Sequence, residues 1–222
     1  MPGPEATHVL SLARATISTL KSIEEIHSDL SDAESLPPAF QAVAKHLQVV
    51  YRALKTAQKQ IRHRKDDSTC GEMKPSVAES KDKAARLEEL FRRVVPSAAA
   101  QRVERYREAV REMGKGNRVE TLMKDIMEDV QLLLTVDDEM RAAAESQLGV
   151  LVEAMKEVSA IPPSLQDESP ASGINNFGSG PQNVNTGNGT QNNSNGPGQQ
   201  FINGTFHGFS TVASREPKNA PA

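Results

Sequence analysis

Tryptophan is absent from this 222-residue chain, cysteine occurs once, and aromatic residues make up only 4%. A lone Cys70 forms no intramolecular disulfide, so no oxidised framework holds the fold, and the residue is ordinary for a cytosolic protein. No apolar run reaches the roughly 18 residues that a membrane-spanning helix requires. Neither sign of charge dominates. Up to Glu168 there are 28 acidic residues against 24 Lys and Arg, about −4, which gives no general pull toward nucleic acid, and no nucleic-acid partner is expected.

Catalytic signatures are missing too. His8, His27, His46, His63 and His207 are scattered, with no carboxylate or Cys spacing that reads as a metal site. There is no G-x-S-x-G elbow. Gly114-Lys115-Gly116-Asn117 superficially suggests a phosphate loop, but no strand precedes it and no hydroxyl follows the lysine, so a kink or break in a helix is expected there. The chain is expected to be no enzyme and to use no metal or cofactor.

The most informative absence lies near the end. From Ser169 to Ser214 there is no Asp, Glu, Lys or Arg, and His207 is the only titratable side chain. Inside that window a nine-residue unit occurs three times: Gly178-Ser-Gly-Pro-Gln-Asn-Val-Asn-Thr186, Gly187-Asn-Gly-Thr-Gln-Asn-Asn-Ser-Asn195 and Gly196-Pro-Gly-Gln-Gln-Phe-Ile-Asn-Gly204. A flexible linker needs composition but not phase. Phase argues for units that stack. Asn and Gln side chains carry both donors and an acceptor, so Gln182, Asn183, Gln191, Asn192, Asn193 and Gln200 are candidates for amide ladders along a cross-β axis. Gly178, Gly180, Gly187, Gly189, Gly196 and Gly198 tolerate positive φ and are the candidate turns. Phe177, Phe201, Phe206 and Phe209 bracket the repeats with apolar surface that only an assembled state would bury. The alternative is a solvated low-complexity tail, and Pro181 and Pro197 count toward it, since tight zippers avoid proline. The triplets at Asn188, Asn192 and Asn203 match the glycosylation sequon, but such triplets are common in an Asn/Ser/Thr-rich tract and no secretory pattern opens the chain.

Upstream, helical spacing is continuous. Leu10, Ala13, Ile17, Leu20, Ile23, Ile26 and Leu30 predict a first helix from Glu5 to about Ser31. It reads as a bundle helix at rest, and the face of Leu10, Ile17 and Leu20 is also the candidate membrane-facing surface if that helix leaves the bundle. Pro37-Pro38 opens a second helix with the cleanest heptad, Phe40, Val43, Leu47, Val50, Leu54, Ala57 and Ile61. It ends in Arg62-His63-Arg64-Lys65, read as cations near a negative helix C-terminus rather than a nuclear or lipid-head address. A third helix is expected to start between Ser68 and Pro75 and to carry Val77, Ala84, Leu87, Phe91 and Val94. A fourth, from near Ala98, presents Val103, Tyr106, Val110 and Met113, with Glu104, Glu108 and Glu112 opposite Arg107, Arg111 and Lys115 as a solvated face. Val119, Leu122, Ile126, Val130 and Leu133 continue the pattern. Asp137 or Asp138 restarts a last helix through Met140, Ala144, Leu148, Leu151, Met155 and Val158, which Ile161-Pro-Pro163 ends.

Several short motifs, in order, resemble the SesA domain of filamentous fungi: Leu36-Pro-Pro-Ala-Phe-Gln-Ala-Val-Ala44, Cys70-Gly-Glu-Met-Lys-Pro75, Lys83-Ala-Ala-Arg-Leu-Glu-Glu-Leu-Phe91, Arg105-Tyr-Arg107, Gly114-Lys-Gly-Asn117, Val119-Glu-Thr-Leu-Met123 and Glu128-Asp-Val-Gln131. The tail resembles the fungal sigma amyloid motif. The middle unit carries its Gly-x-Gly-x-Gln-Asn-Asn pattern, whereas the first has Val184 and the third, after Gln200, has Phe201 where Asn would stand. The resemblance implies an incompatibility and immune signalling protein. Its partner would be a NOD-like receptor with a NACHT-type NTPase and a matching sigma motif, which seeds the tail. By likeness to HeLo-type effectors, the helical domain would act on plasma-membrane lipids.

The expected architecture is therefore all-α, a bundle of about five helices over 1–164, a linker at 165–172, a prion-like segment at 173–209 that is cross-β when assembled, and a disordered end at 210–222. The expected function is a cell-death effector switched on by amyloid templating, cytoplasmic until it moves to the plasma membrane. The alternative is an adaptor whose bundle recruits a partner while the tail clusters it.

Overall fold

Each helix begins where the sequence supplies a start signal. In the computed structural model, which describes residues 2–30, 36–64, 66–114 and 116–165, six α-helices follow one another and no strand occurs among the described residues. They are α1 (Pro4–Ser28), α2 (Pro38–His63), α3 (Asp67–Val94), α4 (Arg102–Met113), α5 (Val119–Leu134) and α6 (Asp138–Ser159), with one 3-10 turn at Ala99–Gln101 before α4. Proline occupies the first turn of α1 and α2, where its missing N–H is no loss. Asp66 caps α3 by accepting from the Ser68 N–H at 3.0 Å, and Asp137 caps α6 by accepting from the Met140 N–H at 2.7 Å. Contacts divide the chain into Met1–Gln166 and Asp167–Ala222, and only the first of these units is described below.

The expected helical bundle is present, with six helices because the Gly114 region is a full break. Gly114 ends α4 at φ 97°, a left-handed conformation open to glycine and strained for other residues. Asn117 then closes the turn: its backbone N–H donates to the Gly114 carbonyl at 3.0 Å and its side-chain amide to the Met113 carbonyl at 2.7 Å. One expectation needs correcting, the place of Val103 on the buried stripe of α4. α3 itself starts at Asp67, at the early edge of the expected range, with Pro75 inside it. Asp66 and Asp67 had already begun the helix, and the N–H that proline lacks costs only one bond in a helix held by packing. Val103 is 46% exposed, because α4 buries Arg102, Tyr106, Ala109 and Val110 instead. The 3-10 turn delays the helix, and Arg102 folds back so that its Nε–H donates to the Ser97 carbonyl at 3.0 Å. On the charged side of α4, Arg107 pairs with Glu104 as expected, Glu108 also takes Arg105, and Glu112 reaches across to Arg93 of α3.

Packing follows the apolar stripes. α1 lies mainly on α3, α2 lies against α1, α5 and α6, and α5 sits between α2, α3 and α6. The full heptad of α2, Phe40 through Ile61, is buried. Phe40 stacks against Phe91 and Tyr106 with ring centroids 4.9 Å apart in both pairs, so one aromatic cluster joins α2, α3 and α4. Of the basic run that follows α2, Arg64 is largely buried and grips both oxygens of Asp137, one contact at 2.8 Å. It thereby ties the end of α2 to the cap of α6. Arg62 and His63 stay exposed in the last turn of α2, and Lys65 lies outside the described residues.

Two testable outcomes follow from this packing. Leu47 is fully enclosed at the middle of α2, so Leu47→Ala is expected to cost about 2–5 kcal/mol. Thermal melts would check this, and an unchanged Tm would remove that heptad from the core. The second concerns acid. Arg64 holds the Asp137 carboxyl below the usual range, and burial holds the His46 imidazole below its ordinary value despite Glu157 3.3 Å away. Unfolded, a histidine takes up its proton near pH 6.5 and an aspartate near 3.9. The His46 contribution is therefore complete above about pH 6.5 and is lost as pH falls from there through its lower native value. The Asp137 contribution is complete above about pH 4 and is lost as pH falls further, through its own native value. Urea melts along a pH series should show His46→Gln flattening the upper part of the acid limb and Asp137→Asn the lower.

Candidate functional site

The apolar face of α1 is the one sequence-predicted site that lies within the described residues. Leu10, Ile17 and Leu20 are 4%, 6% and 1% exposed, so the bundle encloses all three in this state. They pack with Val9, Ala13 and Ile23 in the common core, and a membrane reaches them only after α1 leaves α3.

The start of α1 is fixed by a residue far away in sequence. The first N–H groups of any helix lack partners inside it, and Gly3 at the cap position has no side chain to help. Asp67, the first residue of α3, supplies both acceptors. Its Oδ2 takes the Glu5 N–H at 3.2 Å and its Oδ1 the Ala6 N–H at 2.9 Å. The carboxylate comes so close that a Cβ on residue 3 would lie 2.4 Å from it, which is why glycine stands there. Lys74 and Glu5, 3.5 Å apart, add a second tie between the same helices.

At the other end, the chain leaves the bundle through a polar clamp. Glu120, in the first turn of α5, accepts the Ser164 N–H at 2.9 Å and the Ser164 hydroxyl at 2.7 Å. With that hydroxyl proton committed, Tyr106 donates to the Ser164 Oγ at 2.7 Å, and its own oxygen accepts the Val119 N–H at 3.1 Å. Burial pushes the Tyr106 phenol up to about 12, so it stays a neutral donor throughout the physiological range. Sequence reading missed both the Asp67 cap and this clamp. Their only trace was a polar residue at a helix start and a serine after two prolines, neither of which names its partner.

The amide ladder, glycine turns and phenylalanines proposed between Phe177 and Phe209 lie outside the described residues, as do the linker from 166 onward and the end segment. Among the described residues, no group of three or more His, Cys, Asp or Glu could hold a metal ion, and no helix is long and apolar enough to cross a membrane. Cys70 is buried and its thiol is pushed up by burial, which disfavours the reactive thiolate.

In sequence, the helical bundle is followed by the phased, charge-free repeat, and comparison with protein families gives a match to each. Residues 13–133 match SesA, described as the N-terminal domain on NACHT_NTPase and P-loop NTPases. That span is more than half of the chain, and the protein belongs to the SesA family. Residues 171–210 match NACHT_sigma, the sigma domain on NACHT-NTPases. Both point to NACHT NTPases as interaction partners and associate the chain with their signalling. No curated protein and no solved structure matches the chain.

The α1 cap yields a direct test. Asp67→Ala removes the acceptors of two N–H groups and is expected to cost about 0.5–2 kcal/mol. Faster amide exchange at Glu5 and Ala6, with the rest of the bundle protected, would locate the loss at the start of α1. Unchanged exchange at those amides would show that the cap does not hold the helix.

Proposed function

We propose that this chain is a fungal programmed-cell-death and heterokaryon-incompatibility effector, held inactive in the cytoplasm and switched on when its tail is templated into amyloid. The template would be the sigma motif of a NACHT-type NOD-like receptor, and the helical domain would then act at the plasma membrane. The carrying observation is the phased Gly-x-Gly-x-Gln repeat at 178, 187 and 196, charge-free and contained in the segment that matches the sigma domain. The SesA bundle in front supplies the effector module.

One observation favours an adaptor as the second reading. The α1 face that a lytic mechanism would use is enclosed, and its first turn is tied to α3 by Asp67. An adaptor needs no such helix to leave. Vesicle leakage separates the two, since templated effector should release trapped dye and templated adaptor should not.

The tail itself is tested by charge. Stacked copies in a cross-β array repeat every 4.7–4.8 Å or so, so a lysine at a ladder position meets its own kind at that spacing. Gln182→Lys with Gln191→Lys should abolish seeded fibril formation and receptor-triggered death while the helical circular dichroism is retained, and Gln166→Lys should change nothing. The measurements are seeded aggregation of the purified chain and viability of a fungal host. A double variant that seeds and signals like wild type would make the phased glutamines incidental.

A further inference from the structure

The outer face of α2 contains no carboxylate. Gln41, Lys45, Gln48, Arg52, Lys55, Lys59 and Arg62 follow one another in steps of three and four, opposite the buried heptad, and α2 from Pro38 to His63 has neither Asp nor Glu. Such a run is unusual in a chain whose net charge is −3. Elsewhere cations are mostly paired with acids along or between helices. Among the described residues, Arg52, Lys55, Lys59 and Arg62 are exposed and make no ion pair. Two acids contact this face, both at its N-terminal half. Glu157 binds Lys45 at 2.6 Å, and Glu24 accepts from the Gln48 amide at 2.6 Å.

Two further features give this face a form beyond simple charge. Tyr51 lies along its edge with the Lys21 and Lys55 ammonium groups 5.4 and 5.7 Å from the ring centroid, which brings a cation from α1 onto the same surface. Beside Arg52 the helix forms a groove against α6, about 340 Å³ in volume, lined by Lys45, Gln48, Val49, Arg52, Ser146, Gln147 and Val150. No lining residue is acidic. The amides, the hydroxyl and the guanidinium can all donate, and Val150, 54% exposed, adds an apolar lip.

We infer that the carboxylate-free face of α2, with the groove it forms against α6, docks the phosphate-bearing headgroups of an anionic membrane. Arg52 and the groove donors would hold a phosphate, Lys55, Lys59 and Arg62 would spread over neighbouring headgroups, and Tyr51 and Val150 fit the boundary between headgroup and acyl chain. An acidic protein would find the same charge, but it would leave the groove unfilled and gain nothing from the apolar lip. Soluble polyphosphates share the phosphate chemistry, so the test includes one. This surface deepens the membrane step of the proposed function and requires no helix to leave the bundle.

The test uses the full chain, freshly purified and unseeded, sedimented with phosphatidylcholine vesicles with and without phosphatidylserine or phosphatidylinositol phosphate. Binding is expected only to the anionic vesicles and should be lost as NaCl rises from about 0.05 to 0.5 M. Lys55→Glu with Lys59→Glu should weaken it more than about tenfold. Lys81→Glu with Lys124→Glu, the same change in net charge on α3 and α5, should leave it within about twofold. Arg52→Gln should erase any preference for the inositol phosphate lipid over phosphatidylserine. All of these positions are exposed except Lys81, which is half-buried, and circular dichroism checks that each variant keeps its helices. Equal binding to neutral vesicles, equal loss in the two double variants, or binding to inositol hexakisphosphate without binding to any vesicle would each overturn the inference. Unseeded binding needs no templating, so a chain that docks but is never seeded would overturn the proposed function and leave this surface standing.

Discussion

Tyr106 is the residue on which the bundle's geometry depends. Its ring completes the aromatic cluster with Phe40 and Phe91, and its hydroxyl joins the start of α5 to the segment that leaves α6. One side chain thus ties α2, α3, α4, α5 and the exit of the chain. A buried hydroxyl without partners would cost about 1–3 kcal/mol. That penalty favours the placement of Ser164 and the Val119 N–H against the hydroxyl. Glu120 completes the arrangement. Its two oxygens take both Ser164 donors, and its place in the first turn of α5 suits the positive end of the helix dipole.

Charge is distributed by the same economy. The surface pairs along α3, α4 and α6, such as Glu88 with Arg92 or Glu153 with Lys156, contribute little individually and can be lost without consequence. Three half-buried contacts differ from these and from the exposed interhelical pairs such as Lys45 with Glu157 and Arg93 with Glu112. Arg64 with Asp137 ties α2 to α6, Lys83 with Asp129 ties α3 to α5 at 2.8 Å, and Asp67 ties α3 to the backbone of α1. Asp129 shows the cost of such placement. Burial raises its carboxyl above the usual value despite the lysine beside it, so the pair fixes which faces meet more than it adds stability. With the interhelical cations so committed, Arg52, Lys55, Lys59 and Arg62 on α2, which make no ion pair, stand out.

Periodicity made the interior legible and left the connections hidden. The heptad of α2 and the stripes of α1, α5 and α6 were readable because the spacing of apolar residues reports a helix's own buried face, and the Gly114 break was readable because glycine and asparagine punctuate helices. Val103 was misplaced because the α-helix starts only at Arg102, which takes the buried place in that first turn while Tyr106 and Val110 keep theirs, and the sequence does not mark where a 3-10 turn hands over to an α-helix. The partners of Asp67, Arg64 and Ser164 lie 61, 73 and 44 positions away, and spacing along one helix holds no information about such pairings. The tail was the reverse case. Its phase and its lack of charge were visible in the sequence alone, and its family was shown by comparison.

The enclosure of α1 sets the order of events for any action at a membrane. Taking α1 off α3 would expose Val9, Leu10, Ile17, Leu20 and Ile23, each worth about 1.5–3 kcal/mol when buried. Their sum is comparable to the whole stability of a typical domain, about 5–15 kcal/mol. Departure of α1 in water is therefore equivalent to unfolding the bundle, and a resting protein would almost never sample it. In the proposed function the cost falls only where an apolar phase receives the same side chains as they leave. The bundle must then already lie against the bilayer before α1 moves, held by contacts that leave the core intact. The exposed cations of α2 meet that requirement, since they engage phosphate without disturbing one buried residue. In the proposed function docking would therefore precede insertion on energetic grounds, and templating of the tail would raise the local number of docked bundles rather than pull any helix out.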